Sequence, residues 1–254
     1  ALVEGMMNGG DGLSRLVRLF DRALAAGHLI YYPSTSIELN DGNVNYRVKY
    51  CPSLLKKEQS KQSTNANPFC PYEPGLFIDK LSSGHALIFN KFCVTRLHVL
   101  LITEQFVPQD ANLDRSDFAA IKEFFAKYGD RFVMFYNCGP ESGASQPHRH
   151  FQFVPLDHGM EPKVGLTKDC TIDTLQGAFD SFNVIPEKSF NLLFSPLWGK
   201  MCLVYRRQEK CSLGISINSL GALGDILVKR QEDVDAVKKL GYRRLMEEVV
   251  DQPQ

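Results

Sequence analysis

The stretch Asn137-Cys-Gly-Pro-Glu-Ser-Gly-Ala-Ser-Gln-Pro-His-Arg-His-Phe-Gln152 concentrates the side chains able to do chemistry. Read as a strand, its second half sends His148, His150 and Gln152 to one face. Phe151 and Phe153 go to the other, with Arg149 entering from that side, because side chains alternate along an extended chain. A structural strand would place Thr, Lys or Glu on its polar face rather than two imidazoles and an amide. The first half, Gly139 to Ser145, carries two glycines and two hydroxyls. Such a loop can turn backbone N–H groups and hydroxyls toward an anion, as phosphate-binding nests do, and its glycines permit close backbone approach.

An imidazole with an unperturbed pKa of about 6.5 is largely neutral at pH 7. It attacks phosphorus through one nitrogen only if the other keeps its proton, which an acceptor must hold in place. The phosphoramidate so formed can hand its group to a second acceptor, which splits one hard transfer into two easier ones. Gln152 can donate an amide hydrogen to a phosphoryl oxygen without protonating it. The same residues admit other readings. His148 and His150 can be ordinary surface histidines, and the glycine loop a tight β-turn. His-x-His on a strand is also a zinc spacing, which His98, Asp157 or His158 would have to complete. The loop and the histidines occurring together favour phosphoryl chemistry.

The elements that must position these groups are legible in outline. Apolar spacing predicts a helix over Gly12–Ala26, ended by Gly27. Short strands are expected at Leu29–Tyr32 and Val44–Tyr50 around a turn at Asn40-Asp41-Gly42. Lys57 to Pro68 is a polar, low-complexity loop. Three apolar runs, Leu76–Leu81, Ala86–Phe92 and Leu97–Thr103, are joined by short breaks and predict an antiparallel meander. A helix over Arg115–Tyr128 is capped by Asp114 and stopped by Gly129. Strands follow at Phe132–Tyr136 and His148–Val154. Asp157 to Lys188 is weakly patterned, and Phe190–Phe194 and Met201–Tyr205 form a strand pair around Pro196-Leu197-Trp198. Helical runs near Asp233–Leu240 and Tyr242–Val250 end the chain. Runs of strands with helices outside them read as α+β with an antiparallel sheet.

Composition narrows the function. The chain has 254 residues, 44% hydrophobic and 23% charged, with 29 Lys+Arg balancing 29 Asp+Glu. This length supports a full core, and zero net charge excludes binding nucleic acid or an anionic membrane through bulk basicity. No apolar run is long enough for a transmembrane helix. No secretory leader is read, although a start at Ala1 without Met leaves a removed one open. Seven cysteines, an odd number without a Cys-x-x-Cys pair, suit reduced thiols in a cytoplasmic or nuclear protein better than a disulfide or zinc framework. The doublets Arg206-Arg207 and Arg243-Arg244 read as solvated, and Trp198 as core.

The segment from Gly139 to Gln152 resembles the signature of the diadenosine tetraphosphate phosphorylases (ATP adenylyltransferases) of the histidine-triad superfamily. In that family His-x-His-x-Gln replaces the third histidine of the triad hydrolases with Gln. Leu87 to Thr103, with Asn90, Lys91 and His98, is similar to the family's strand pair. Pro52-Ser-Leu-Leu-Lys-Lys57 is similar to its lysine-bearing segment. Phe190 to Ser195 with Trp198, and Gly214 to Gly221, resemble its C-terminal half. The chain departs in its short Asp157–Ser189 segment, where the family carries a longer helical one. It departs again at Val204-Tyr205-Arg206, where the family tends to read Val-Pro-Arg.

The resemblance implies one histidine-triad-like α+β domain over 1–254, with 189–254 as a C-terminal extension of the same fold. It implies His150 as nucleophile, Gln152 holding the transferred phosphoryl group, and His148 supporting His150. Lys57, Asn90, Asn137, Gly143, Ala144 and Ser145 would contact substrate. The expected reaction is phosphorolysis of diadenosine tetraphosphate to ADP and ATP. A sugar-nucleotide phosphorylase of the same superfamily, or a nucleotide-binding module without turnover, is the alternative. The expected partners are nucleotides and inorganic phosphate, with no nucleic acid and no membrane. No cofactor is expected on the protein itself, while Mg²⁺ would accompany the polyphosphate.

Overall fold

The computed structural model describes residues 11–55 and 67–251. Helix α1 (Asp11–Ala25) is followed by β1 (Ile30–Tyr31), β2 (Thr35–Asp41) and β3 (Val44–Tyr50). Then come β4 (Phe77–Lys80), β5 (His85–Phe89), β6 (Phe92–Cys93) and β7 (Val99–Thr103), helix α2 (Arg115–Tyr128), β8 (Phe132–Cys138) and β9 (His150–Pro155). Strand β10 (Leu166–Asp169), helix α3 (Leu175–Asp180), β11 (Phe190–Ser195) and β12 (Lys200–Tyr205) follow. The last elements are α4 (Ser219–Ala222), β13 (Asp225–Val228), α5 (Gln231–Leu240) and α6 (Tyr242–Val249).

Eight strands make one sheet in the order β10-β12-β11-β8-β9-β7-β5-β4, and every pair in it is antiparallel. Both faces of its centre are covered, which is why β8 is buried along its whole length and reads as an unbroken apolar run. Phe132, Met134 and Tyr136 of β8 join a core with Leu16 and Phe20 of α1 and Phe118, Ile121 and Phe124 of α2. Val133 and Phe135 face a second core with Tyr46, Val48, Ile226, Val237 and Leu245. The strand period of two thus assigns alternate residues to two separate packings. The ring of Phe124 stacks on Phe153 with centroids 3.7 Å apart, which fastens α2 to β9.

Local chemistry explains the boundaries. The Asp114 carboxylate accepts from Ser116 N and Asp117 N, and the Asp117 side chain returns a bond to Asp114 N, a complete capping box. Gly129 leaves the helix at φ +91°, and Gly27 lies beyond α1 at φ +74°.

Three expectations need correction. Val44–Tyr50 pairs across the turn with Thr35–Asp41 rather than with Leu29–Tyr32, and β1 runs parallel to β6. The alternation in Thr35–Asp41 is masked by its polar, largely exposed residues. The strand expected from His148 begins at His150, and His148 makes only an isolated bridge to Pro108. The weakly patterned Asp157–Lys188 contains β10 and α3. Beside the main sheet, β13 pairs parallel with β3, carrying the C-terminal segment onto the β2–β3 hairpin. Among the described residues no helix is long and apolar enough to cross a membrane.

Candidate active site

Strands β8 and β9 pair through Met134–Phe153 and Phe135–Gln152, and beyond that point a side chain holds them together. Gln109 Oε1 accepts from His150 N at 2.8 Å, while Gln109 Nε2 donates to Asn137 O at 2.7 Å and His150 O at 3.3 Å. The amide of Gln109 imitates a strand and wedges the ladder open where Asn137 faces His150. The hydroxyl of Tyr136 donates to Gln109 O, and Gln109 N donates to Pro147 O at 2.8 Å. Arg149 fastens the same loop from the other face of β9, donating to Ala111 O at 2.6 Å and Asn112 O at 2.9 Å. Its guanidinium pairs at 2.8 Å with buried Asp117, which also meets His85 Nε2 at 3.1 Å.

His150 is 2% exposed. Its Nδ1 lies 2.9 Å from the backbone oxygen of His148, so Nδ1 carries the proton and donates it. Nε2 is thereby the lone-pair nitrogen. Burial pushes the pKa of His150 down to about 4, with the nearby His148 adding a little and the bond to the His148 carbonyl opposing. The ring is therefore neutral at pH 7.

The side chain of His148 is fully committed elsewhere. Nε2 donates to Thr103 O at 2.8 Å, with Thr103 Oγ1 at 2.9 Å. Nδ1 accepts from Asn67 Nδ2 at 3.0 Å, and Asn67 Oδ1 is held by Phe69 N. Burial lowers its pKa too. His148 thus supports His150 through its carbonyl rather than its imidazole.

Gln152 is oriented by a directional chain. Asn90 Oδ1 accepts from Phe92 N at 3.1 Å, so Asn90 Nδ2 faces His98 Nδ1 at 3.2 Å. His98 Nε2 then donates to Gln152 Oε1 at 2.9 Å. Burial pushes His98 down to about 4, with the bond to Gln152 opposing, which keeps the ring neutral as this chain requires. With its oxygen claimed, Gln152 has its NH₂ group left to offer.

The glycine loop bends as glycine alone allows. Gly139 has φ +85° and a Cβ there would meet Ser189 Oγ at 2.3 Å. Gly143 has φ +80° and a Cβ there would lie 3.0 Å from Asn218 Cβ. Of the two hydroxyls, Ser142 is buried and donates to Gly139 O at 2.6 Å, a structural bond rather than an open donor. Ala144 is half-buried and Ser145 exposed at the open end of the loop. Asn137 Oδ1 accepts from Ser219 Oγ at 2.6 Å, Asn191 Nδ2 at 2.9 Å and Ser219 N at 3.2 Å. Its Nδ2 is buried without a partner among the described residues.

His150, Gln152, Asn137 and Gly143 are drawn together around β8, β9 and their connection. Asn90 reaches the site through His98, and Lys57 lies outside the described residues. Asn218 caps α4 by accepting from Leu220 N at 3.0 Å, and Trp198 donates to Met160 O at 2.9 Å while packing on the second core. Arg206, expected to be solvated, is 5% exposed. Of the residues that would complete a zinc set, His98 is bonded to Gln152 at 2.9 Å, Asp157 pairs with Arg47 at 2.7 Å, and His158 is exposed. Among the described residues no group of three or more His, Cys, Asp or Glu could hold a metal ion. Sequence reasoning missed Gln109, Asn191, Thr103 and Asn67. Each sits far along the chain from the group it orients, so no local pattern marks it.

A pH profile tests the state of His150. The ring is expected to titrate near pH 4 by NMR and to stay unchanged from pH 6 to 8; a midpoint near 6.5 would mean a solvated ring. Stability follows the same ring. Above about pH 6.5 it is neutral folded and unfolded and contributes no pH dependence. From there down to about 4 the unfolded chain binds the extra proton, and roughly 3 kcal/mol of stability is lost.

A neutral, lone-pair imidazole thus lies on the antiparallel sheet of an α+β fold, beside an amide donor and a glycine-bent loop. Solved structures of yeast Ap4A phosphorylase Apa2 share the fold. One matches with a TM-score of 0.77 at 24% identity, covering 94% of each chain. The form in complex with Ap4A matches with a TM-score of 0.78 at 23% identity, covering 94% of this chain and 97% of that one. The chain belongs to the Ap4A phosphorylase and ATP adenylyltransferase family of enzymes. Residues 6–168 match the Ap4A phosphorylase N-terminal domain, and residues 145–251 match the ATP adenylyltransferase C-terminal domain. Diadenosine 5',5'''-P1,P4-tetraphosphate phosphorylase 2 of Saccharomyces cerevisiae is 31% identical, over 86% of this chain and 88% of its own. Protein APA1 of the same yeast is 25% identical, over 84% and 85%. The two matched segments overlap across β9, and the eight-stranded sheet contains strands from both.

Proposed function

We propose that this chain cleaves diadenosine tetraphosphate with inorganic phosphate, giving ADP and ATP by way of an adenylyl group on His150. The observation that carries the reading is the bond from His150 Nδ1 to the His148 carbonyl, which leaves Nε2 neutral and nucleophilic beside the Gln152 amide. The yeast relative is named a diadenosine tetraphosphate phosphorylase, and an Apa2 structure of the same fold is in complex with Ap4A.

In the first step the Nε2 lone pair forms a bond to one α-phosphorus as its bond to the bridging oxygen breaks. That electron pair leaves on ATP. In the second step an oxygen of inorganic phosphate attacks the same phosphorus, the N–P bond breaks, its electron pair returns to Nε2, and ADP departs. Gln152 donates to the transferred phosphoryl oxygens and cannot supply a proton. Asn137 Nδ2 and the Gly143-Ala144-Ser145 backbone hold phosphate or ribose, Lys57 meets the distal phosphates, and Asn90 acts by aligning His98. Mg²⁺ would arrive on the polyphosphate, held by phosphate oxygens, and would offset substrate charge.

Chromatography of products from diadenosine tetraphosphate, with and without phosphate, tests the reading. ADP and ATP formed only with phosphate are expected. AMP and ATP at a rate indifferent to phosphate would make the protein a hydrolase.

A further inference from the structure

Arg206, at the end of β12, is a buried cation whose four hydrogen-bond acceptors are all neutral. They are Asn191 Oδ1 at 2.7 Å, Gln208 O at 3.0 Å, Val249 O at 3.1 Å and Ser142 O at 3.4 Å. Burial lowers its pKa to about 10, with Glu209 opposing, so the charge persists at pH 7. A charge so placed, without a hydrogen-bonded carboxylate, is costly to bury.

Its hydrogen bonds have a fixed direction. A guanidinium only donates, so Asn191 must present Oδ1 to it. Asn191 Nδ2 then faces Asn137 Oδ1 and Ser142 O, both at 2.9 Å. Asn137 is obliged to present its oxygen inward, where Ser219 N also donates to it. Its Nδ2, buried and without a partner among the described residues, is left aimed away from the relay.

We propose that Arg206 is a positioning residue that acts through Asn191 to fix Asn137 as a hydrogen-bond donor to the bound nucleotide. The relay also polarises both amides toward donation at the substrate end, since chained bonds in a low-dielectric interior reinforce one another. This role rests on the nucleotide reading of the site and deepens it. It gives a common use to a buried arginine and two buried asparagines.

A double-mutant cycle on kcat/KM for diadenosine tetraphosphate tests the relay. Asn137→Ala is expected to lose about 10- to 100-fold, the effect of a hydrogen bond to a charged group, and Arg206→Met about tenfold. Arg206→Met in the Asn137→Ala background is expected to add nothing, and Arg206→Lys, which still donates, to recover most of the loss. Multiplicative losses would overturn the proposal. So would an Arg206→Lys as slow as Arg206→Met while melting like the wild type.

Should Arg206→Met fail to fold, Asn191→Asp serves instead. Its carboxylate still accepts from Arg206 but cannot donate to Asn137. It is expected to lose activity alone and nothing further in the Asn137→Ala background; a wild-type rate for Asn191→Asp overturns the relay. AMP affinity measured by calorimetry gives the same cycle without turnover. Absence of cleavage by the wild type would therefore count against the reaction and leave the relay decided by binding.

Discussion

His150→Ala is expected to lower kcat on the order of 10⁴-fold or more, because the variant lacks the atom that takes the adenylyl group in the mechanism we propose. No neighbour replaces it. His148 has Nε2 turned to Thr103 and Nδ1 to Asn67, and His98 spends its rings' two nitrogens on Asn90 and Gln152. Removing a buried ring that packs 5.2 Å from Phe69 costs about 2–4 kcal/mol. The backbone around it remains pinned by Gln109. The variant should therefore keep the wild-type circular dichroism spectrum and melt somewhat lower. It should also be less sensitive to acid, since the ring that resists protonation in the fold is gone. Substantial turnover by a folded His150→Ala would remove this residue from the mechanism.

Gln152→His is expected to change the product rather than abolish the reaction. The wild-type amide cannot exchange a proton at pH 7, so a water molecule attacking the adenylyl group finds no base there. Inorganic phosphate is already an anion and needs less help. An imidazole at position 152 would restore a proton acceptor, and general base assistance contributes typically about 10²-fold. AMP should then appear beside ATP, and the rate should depend less on phosphate. Product chromatography over a phosphate titration measures the partition. An unchanged requirement for phosphate in Gln152→His would show that the amide is not what excludes water.

The main sheet was legible because its strands obey rules written into adjacent residues. Ala86–Phe92 with Leu97–Thr103, and Phe190–Phe194 with Met201–Tyr205, are dense apolar runs, and the short link within each pair favours antiparallel neighbours. The helix over Arg115–Tyr128 carries its own cap at Asp114 and its own stop at Gly129. The β2 strand escaped because its residues are mostly exposed and polar, and the parallel β3–β13 pair because its partners lie far apart in sequence.

Within the site, alternation put His150 and Gln152 on one face correctly but overextended the strand to His148. The bridge to Pro108 and the wedge of Gln109 end the ladder there, and both come from a loop that sequence spacing does not connect to the motif. Arg206 read as half of a surface doublet, since burial of one member follows from packing against Ser142 and Val249, not from its neighbour. Zero net charge ruled out bulk attraction for polyanions, and a buried arginine feeding a relay of amides is a local solution consistent with that balance.

The proposed adenylyl-histidine can be trapped directly. Wild-type protein mixed with diadenosine tetraphosphate in the absence of phosphate, quenched in alkali and digested for mass spectrometry, should carry an acid-labile adenylyl group on His150. Addition of phosphate before the quench should discharge it as ADP. An unmodified His150 during active turnover, or an adduct on another residue that phosphate discharges, would contradict the mechanism.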